Sequence, residues 1–218
     1  MLDWKKIETV LLDMDGTLLD LNFDNHFWQE FVPQRYAQQN HLSLEQSKKQ
    51  LEPRFRAMQG RLEWYCLDYW SEVLKLDIAG LKAEVAGLIA VLPHVTDFLE
   101  KVSDSSRELL LVTNAHPDSL DLKMEKTSLH RFFDAVISSH QFGFPKEHPD
   151  FWRHLQEHHP FRKNYTLLVD DSVAVLHAAR KHGLQYLLSV SRPDSRQAGR
   201  VIDDFPAIQD FREILAGI

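Results

Sequence analysis

A pair of aspartates at the end of an apolar run is the feature that most constrains how this chain can fold. Residues 10–20 read VLLDMDGTLLD, so that Asp13 and Asp15 follow three apolar residues. Such a run is typical of a strand that is covered on both faces of a parallel sheet. If the chain stays extended, the two carboxylates point the same way and repel each other unless a cation or a proton intervenes. The alternative is that Asp15-Gly16 belongs to an ordinary turn.

Two kinds of sequence follow this strand. Residues 22–92 are rich in helix formers and aromatics, with apolar residues three and four positions apart, which predicts an all-helical segment. From about residue 93, helical stretches alternate with apolar segments, which predicts right-handed crossovers and a parallel sheet. The apolar segments are residues 108–115, 133–139, 165–172 and 186–191.

These patterns predict an α/β fold with two parts. Residues 1–20 and 93–218 are expected to form a doubly wound parallel sheet with the strand order 3-2-1-4-5, or an extension of it. Residues 21–92 are expected to form a helical cap inserted after the first strand.

Composition limits the functional classes. The net charge of −7 disfavours general nucleic-acid binding, although a lysine and backbone amides can still hold a small anion. No apolar run approaches the ~20 residues that span a membrane, and the first residues lack the order of a signal peptide. We therefore expect a cytoplasmic protein with no membrane partner. The single cysteine, Cys66, excludes an intrachain disulfide and a cysteine-based zinc cluster.

Carboxylates occur at the predicted ends of two strands. Asp170 and Asp171 end the segment YTLLVDD, and the expected strand order places Asp13 beside Asp170. In open parallel sheets, ligands bind at this edge, where the strand order reverses. Together with Asp15, four carboxylates would then converge. Oxygen ligands with room for water and phosphate favour Mg²⁺ as the neutralising cation.

Other residues near the same edge suit phosphoryl transfer. Thr113 and Asn114 end the segment LLLVTNA, and Lys146 lies in the loop FGFPKEHPD, so these three can hold a phosphoryl group. Asp13 could be a nucleophile that forms an aspartyl-phosphate. Asp15 could act as general acid and then as general base.

The motifs DMDGT, VTN, PK and VDDS occur in this order on the predicted strand ends and resemble the four motifs of the haloacid dehalogenase-like (HAD) hydrolases. The insertion after the first motif resembles the helical C1 cap of that family. The resemblance implies that Asp13 is the nucleophile and that Asp15 is the acid and base. It also implies that Thr113 and Lys146 bind the phosphate.

The same resemblance implies a magnesium site. Asp15 would contribute its backbone carbonyl, Asp171 would be a direct ligand, and Asp170 would bind directly or through water. The full set of implied metal ligands is Asp13, Asp15, Asp170 and Asp171.

A longer resemblance extends over nearly the whole chain. The segments LLDMDGTLLDLNFDNHFWQ, LEWYCLDYWSE, TNAHP, FGFPKE and PDS are similar to the bacterial GMP/IMP 5′-nucleotidase branch of the family. This similarity implies a purine nucleoside 5′-monophosphate as substrate, with GMP or IMP ahead of AMP. Side chains of the right type to recognise the base are Asn25, Arg61, Tyr65 and Tyr69.

Four other functions use similar motifs. A haloacid dehalogenase expels a halide and needs no proton donor, so Asp15 favours a phosphatase. A phosphomutase shares all four motifs, and a phosphatase for another small substrate, such as a sugar phosphate, also stays open. A phospho-accepting signalling domain carries its acidic pair near the N-terminus and has no such cap, so the motif order argues against it.

Several further side chains have simpler expected roles. His116 should lie at the rim of the site, where it touches substrate without a catalytic role. Lys123 is predicted to be an exposed helix residue.

The pair His154 and His158 has zinc-binding spacing but no evident third ligand, which indicates a solvated helix end. Most of the aromatics between 64 and 70 should form the core of the cap, with one or two facing the cleft.

Overall fold

The computed structural model describes residues 2–218, and six parallel strands form one sheet. Their order, β3-β2-β1-β4-β5-β6, confirms the expected doubly wound arrangement and extends it by one strand. The strands are β1 (Thr9–Leu12), β2 (Glu108–Thr113), β3 (Ala135–Ser138), β4 (Thr166–Asp170), β5 (Tyr186–Val190) and β6 (Ala207–Ile208).

The first strand lies at the centre of the sheet because it is apolar on both faces. Leu12 pairs with Leu111 of β2 on one side and with Val169 of β4 on the other. Val10 and Leu12 pack into one hydrophobic cluster, and Leu11 packs into the cluster on the opposite face. Four helices supply partners for these faces: α7 (Val95–Ser103), α8 (Pro117–Thr127), α9 (Pro149–His158) and α10 (Val173–His182).

The segment between β1 and α7 is helical, as its periodicity indicates. A π-helical turn, Phe27–Phe31, joins the first two helices. The segment has a hydrophobic cluster of its own, in which Trp70 is fully buried. Its six helices are α1 (Asn22–His26), α2 (Val32–Asn40), α3 (Leu44–Met58), α4 (Leu62–Tyr65), α5 (Leu67–Leu74) and α6 (Ile78–Glu84). We call this segment the helical insert.

The helical insert joins the sheet at two adjacent crossings. The amide of Asp20 donates to the carbonyl of Ala90 over 2.9 Å, and the amide of Leu92 donates to the carbonyl of Leu18 over 2.9 Å. A single antiparallel bridge between Leu19 and Val91 lies between these bonds. The chain therefore leaves and re-enters the sheet side by side.

Two further polar pairs lie outside the strand ends. The acidic pair Asp203 and Asp204 lies in an exposed loop. His158 is exposed near the end of α9, and neither it nor His154 belongs to any group of three potential metal ligands among residues 2–218. Over the same residues, every helix is too short or too polar to cross a membrane.

Candidate active site

A buried lysine connects the ends of three strands. The Nζ atom of Lys146 lies 2.5 Å from Oδ1 of Asp13 and 2.8 Å from Oδ2 of Asp170, and it donates to the carbonyl of Val112 over 3.0 Å. Asp13 continues the pairing of β1, because its amide donates to the carbonyl of Val169. All three charged side chains are less than 10% exposed. The strand order therefore produces the expected meeting of Asp13 with Asp170.

The carboxylates around this lysine carry more negative charge than it neutralises. Burial raises the pKa of Asp13 to about 7 and that of Asp170 to about 6, although Lys146 opposes both shifts. Burial and the charge of Asp13 raise the pKa of Asp171 to about 7. Oxygen atoms of the three carboxylates lie within 4.8 Å of one another. This set of oxygen donors suits a hard divalent cation.

The side chain of Asp15 lies apart from that group, contrary to the expectation that four carboxylates converge. The chain turns immediately after Asp15, where Gly16 adopts a left-handed conformation with φ of +81°. The Asp15 carboxylate instead accepts a hydrogen bond from Nζ of Lys123 over 2.7 Å. The two aspartates of the first motif thus have different lysine partners.

Lys123 belongs to a buried row of four alternating charges. Its Nζ atom also donates to Oδ2 of Asp24 over 2.7 Å, and Oδ1 of Asp24 lies 2.5 Å from Nζ of Lys82. Burial alone would raise the pKa of Asp24, but the two ammonium groups outweigh burial and hold it well below its ordinary range. Asp15 and Lys123 lie on the sheet side, whereas Asp24 and Lys82 belong to α1 and α6. The row connects the helical insert to the site.

The prediction that Lys123 is exposed is wrong, because only 1% of the residue is accessible. A sequence signal for its burial exists: Lys123 lies between Leu120 and Met124 on the buried face of α8. Lys82 is likewise next to a buried apolar residue of its helix, since it follows Leu81 on α6.

A second polar contact joins the insert to the VTN and PK motifs. Asn114 accepts from the amide of Lys146 over 2.9 Å and donates to Glu147 over 3.0 Å. The hydroxyl of Tyr65, on α4, donates to the other oxygen of Glu147 over 2.6 Å. Thr113 is 1% exposed, and its hydroxyl accepts from the amide of Ala115. Sequence reasoning missed Glu147, although it directly follows the PK motif.

All the predicted site residues line one cavity of about 800 Å³ between the sheet edge and the helical insert. His116 lies on its wall, with Nε2 3.5 Å from a carboxylate oxygen of Asp68 in α5. The predicted residues on the lining are Asp13, Asp15, Thr113, Asn114, His116, Lys146, Asp170 and Asp171.

The far end of this cavity is formed by the insert. Trp28, Phe55 and Trp64 supply aromatic surface there, and Lys48 pairs with Glu30 over 2.7 Å. Of the four candidate base-reading residues, Asn25 and Tyr65 lie on the lining, whereas Arg61 and Tyr69 lie outside it. The prediction that most aromatics between 64 and 70 are core is wrong: only Trp70 is fully buried, whereas Trp64 and Tyr65 are half-buried and line the cavity, and Tyr69 is half-buried against the hydrophobic cluster of the insert.

Residues 10–189 match the family model of the haloacid dehalogenase-like hydrolases, and the chain belongs to that family. Among curated proteins, the GMP/IMP nucleotidase YrfG of Escherichia coli (strain K12) is 39% identical over 215 residues, which cover 99% of this chain and 97% of the relative. The protein of the same name from Shigella flexneri matches equally.

Solved structures agree on the fold. A HAD phosphatase from Thermococcus onnurineus superposes with a TM-score of 0.79 at 22% identity, and the match covers 97% of this chain and 99% of that one. The magnesium-bound putative HAD-hydrolase YfnB from Bacillus subtilis gives 0.65 at 19% identity, covering 95% and 96%. These structures support the same sheet with a helical insertion.

Replacing Gly16 with alanine should destabilise the site more than its backbone conformation alone requires. A Cβ at this position would lie 2.9 Å from Cγ of Asp171 and 2.9 Å from Cβ of Pro193. Gly60 is a matched control, since it has a similar φ of +79° with no atom within 4 Å. We expect Gly60→Ala to lower the free energy of unfolding by ~1–2 kcal/mol. Gly16→Ala should cost a further ~1–3 kcal/mol for overpacking, measured by denaturant unfolding. Equal losses would contradict the contact argument.

Proposed function

We propose that the chain hydrolyses phosphate monoesters through an aspartyl-phosphate on Asp13. The observation that carries this proposal is the buried contact of Asp13 with Lys146, beside Asp170. One carboxylate oxygen of Asp13 is held by the ammonium, and the other attacks phosphorus as the bond to the ester oxygen breaks. Water then attacks the aspartyl-phosphate and releases inorganic phosphate. Lys146, together with Thr113 on the cavity wall, stabilises the charge on the phosphoryl oxygens.

Magnesium fits the donor set that these carboxylates provide. Asp13, Asp170 and Asp171 offer only oxygen atoms, they lie close together, and burial makes their combined charge unfavourable without a cation. The backbone carbonyl of Asp15 is the further ligand that the family motif implies. When bound, Mg²⁺ neutralises the carboxylates and the phosphoryl oxygens.

Asp15 is proposed as the general acid that protonates the leaving alkoxide, and as the base that activates water. Lys123 holds its Oδ1, while Oδ2 has no hydrogen-bond partner among residues 2–218 and the side chain lines the cavity. Lys123 is therefore a positioning residue for Asp15. A dehalogenase has no use for such a donor, because a halide leaves without a proton.

The proposed substrate is a purine nucleoside 5′-monophosphate, GMP or IMP ahead of AMP. The E. coli relative supports this choice, since it is named a GMP/IMP nucleotidase. The cavity extends from the carboxylates to an aromatic wall that can stack a base. At that end, Lys48 offers a donor beside the acceptor Glu30, which matches the O6 acceptor and N1 donor of a 6-oxopurine. Adenine presents the opposite pattern and cannot pair with both groups.

A substrate panel tests the proposed function. We expect kcat/KM to be highest for IMP and GMP, lower for AMP, and lowest for UMP and a hexose phosphate. Asp13→Asn should abolish hydrolysis of all of them, because an amide is a poor nucleophile.

Lys48→Met should reduce the preference for IMP over AMP at least tenfold, by the ~1.4 kcal/mol that separates a satisfied from an unsatisfied polar contact. Rates with para-nitrophenyl phosphate, which has no base, provide the control. Faster hydrolysis of UMP or the hexose phosphate would refute the nucleotidase assignment while leaving the phosphatase intact. Return of the phosphoryl group to a sugar phosphate instead of water would indicate a mutase.

Magnesium affinity should depend on pH. Because burial raises the pKa of Asp13 and Asp171 to about 7 and that of Asp170 to about 6, protons compete with the metal as pH falls through this range. We expect Mg²⁺ to bind more weakly at about pH 6 than at about pH 8, with proton release on binding. Calorimetric titrations in two buffers of different ionisation enthalpy measure both effects. Affinity that stays constant over this range would contradict the assignment of these carboxylates.

The role of Lys123 can be tested through the leaving group. Asp15→Asn should slow an alkyl phosphate by ~10²–10⁴-fold and a nitrophenyl phosphate much less, since nitrophenolate leaves without a proton. Lys123→Met should show the same selectivity, with little further loss when it is added to Asp15→Asn. Lys126→Met, on the exposed face of the same helix, is the control. Equal losses of Lys123→Met on both substrates would indicate a purely structural role.

A further inference from the structure

Cys66, His116 and His140 converge from three separate segments, and the proposed reaction uses none of them as a chemical group. Cys66 precedes α5 in the helical insert, His116 precedes α8, and His140 follows β3. A sulfur or ring-nitrogen atom from each lies within 4.8 Å of the corresponding atom in the other two. The cluster therefore spans the contact between the insert and the sheet.

His140 has the environment of a metal-ligating histidine. Its Nε2 atom is buried and has no hydrogen-bond partner within residues 2–218. Burial, aided by His116, lowers the pKa of this imidazole to about 4, so the ring is neutral and can offer a nitrogen lone pair to a metal. A buried nitrogen without a hydrogen-bond partner is unfavourable, so a ligand for it would be stabilising.

The other members are also held in place. The sulfur of Cys66 accepts from the amide of Tyr69 over 3.5 Å, which caps the start of α5. His116 is 9% exposed, and its ring packs edge-on against that of His140 with centroids 5.0 Å apart. A carboxylate oxygen of Asp68 lies 3.5 Å from Nε2 of His116 and can pair with that ring.

We propose that Cys66, His116 and His140 bind a Zn²⁺ ion with a fourth position left for water. A single cysteine excludes a zinc cluster built on several cysteines, but it does not exclude one thiolate combined with two imidazoles. Sulfur and imidazole ligands favour zinc over magnesium, whereas the carboxylates around Asp13 favour magnesium, so the two sites select different metals. A bound ion would tie Cys66 of the insert to the two histidines of the sheet side.

Cobalt binding tests the site without reference to activity. Metal-free, reduced protein is first saturated with Mg²⁺ to fill the carboxylate site and then titrated with Co²⁺, which replaces zinc and reports its ligands by absorption. One equivalent should produce a thiolate-to-cobalt charge-transfer band and visible bands typical of tetrahedral geometry. Zn²⁺ should displace the cobalt, and Zn²⁺ affinity is then measured by competition with a chromophoric chelator.

Two variants and a control decide the result. Cys66→Ser keeps a side-chain oxygen to cap α5 but removes the soft ligand, so the charge-transfer band should disappear while the fold is retained. His140→Gln should weaken Zn²⁺ binding at least tenfold. His154→Gln with His158→Gln removes a histidine pair outside the cluster and should change neither measurement. Absence of the thiolate band in the wild type, or Zn²⁺ affinity unchanged by Cys66→Ser and by His140→Gln, would overturn the proposal.

Discussion

The ammonium of Lys146 is the interaction on which the arrangement of the site depends. Two buried carboxylates follow neighbouring strands, and like charges so close in a low-dielectric environment are unfavourable. Lys146 bonds to both, and its third hydrogen bond, to the carbonyl of Val112, fixes it to β2. Because β1 lies between β2 and β4, one cation connects all three central strands at the same edge. The strand order of the sheet therefore determines which charged side chains meet at the site.

A second lysine gives the two aspartates of the first motif separate environments. The turn at Gly16 directs the Asp15 side chain away from Asp13. The Asp15 carboxylate then accepts a hydrogen bond from Nζ of Lys123. Repulsion between the two carboxylates is thereby reduced without a shared proton. Through Asp24, the same lysine also contacts the helical insert, so the position of the insert and the orientation of Asp15 are linked by charge.

The four motifs, read in order, predict the strand order and the side chains gathered at the sheet edge. The two-residue strand β6 was not predicted, because its periodicity is too short to detect. Lys123 was misjudged because lysines are rarely buried unless they are paired, and its partners, Asp15 and Asp24, are distant in sequence. Arg200, which donates to both the carbonyl and the carboxylate of Asp171, also escaped sequence reasoning because it comes from a loop 29 residues away.

The side-by-side crossings at Leu19 and Val91 have a consequence for how such proteins diversify. Since the chain leaves and returns at adjacent points, the intervening helices can be lengthened, shortened or exchanged by recombination without altering the order of any strand. The residues proposed for bond cleavage lie at the sheet edge, whereas the inserted helices supply the aromatic wall opposite them. Selection can thus change molecular recognition with little effect on reaction chemistry as long as Asp24 of the insert keeps its contact with Lys123.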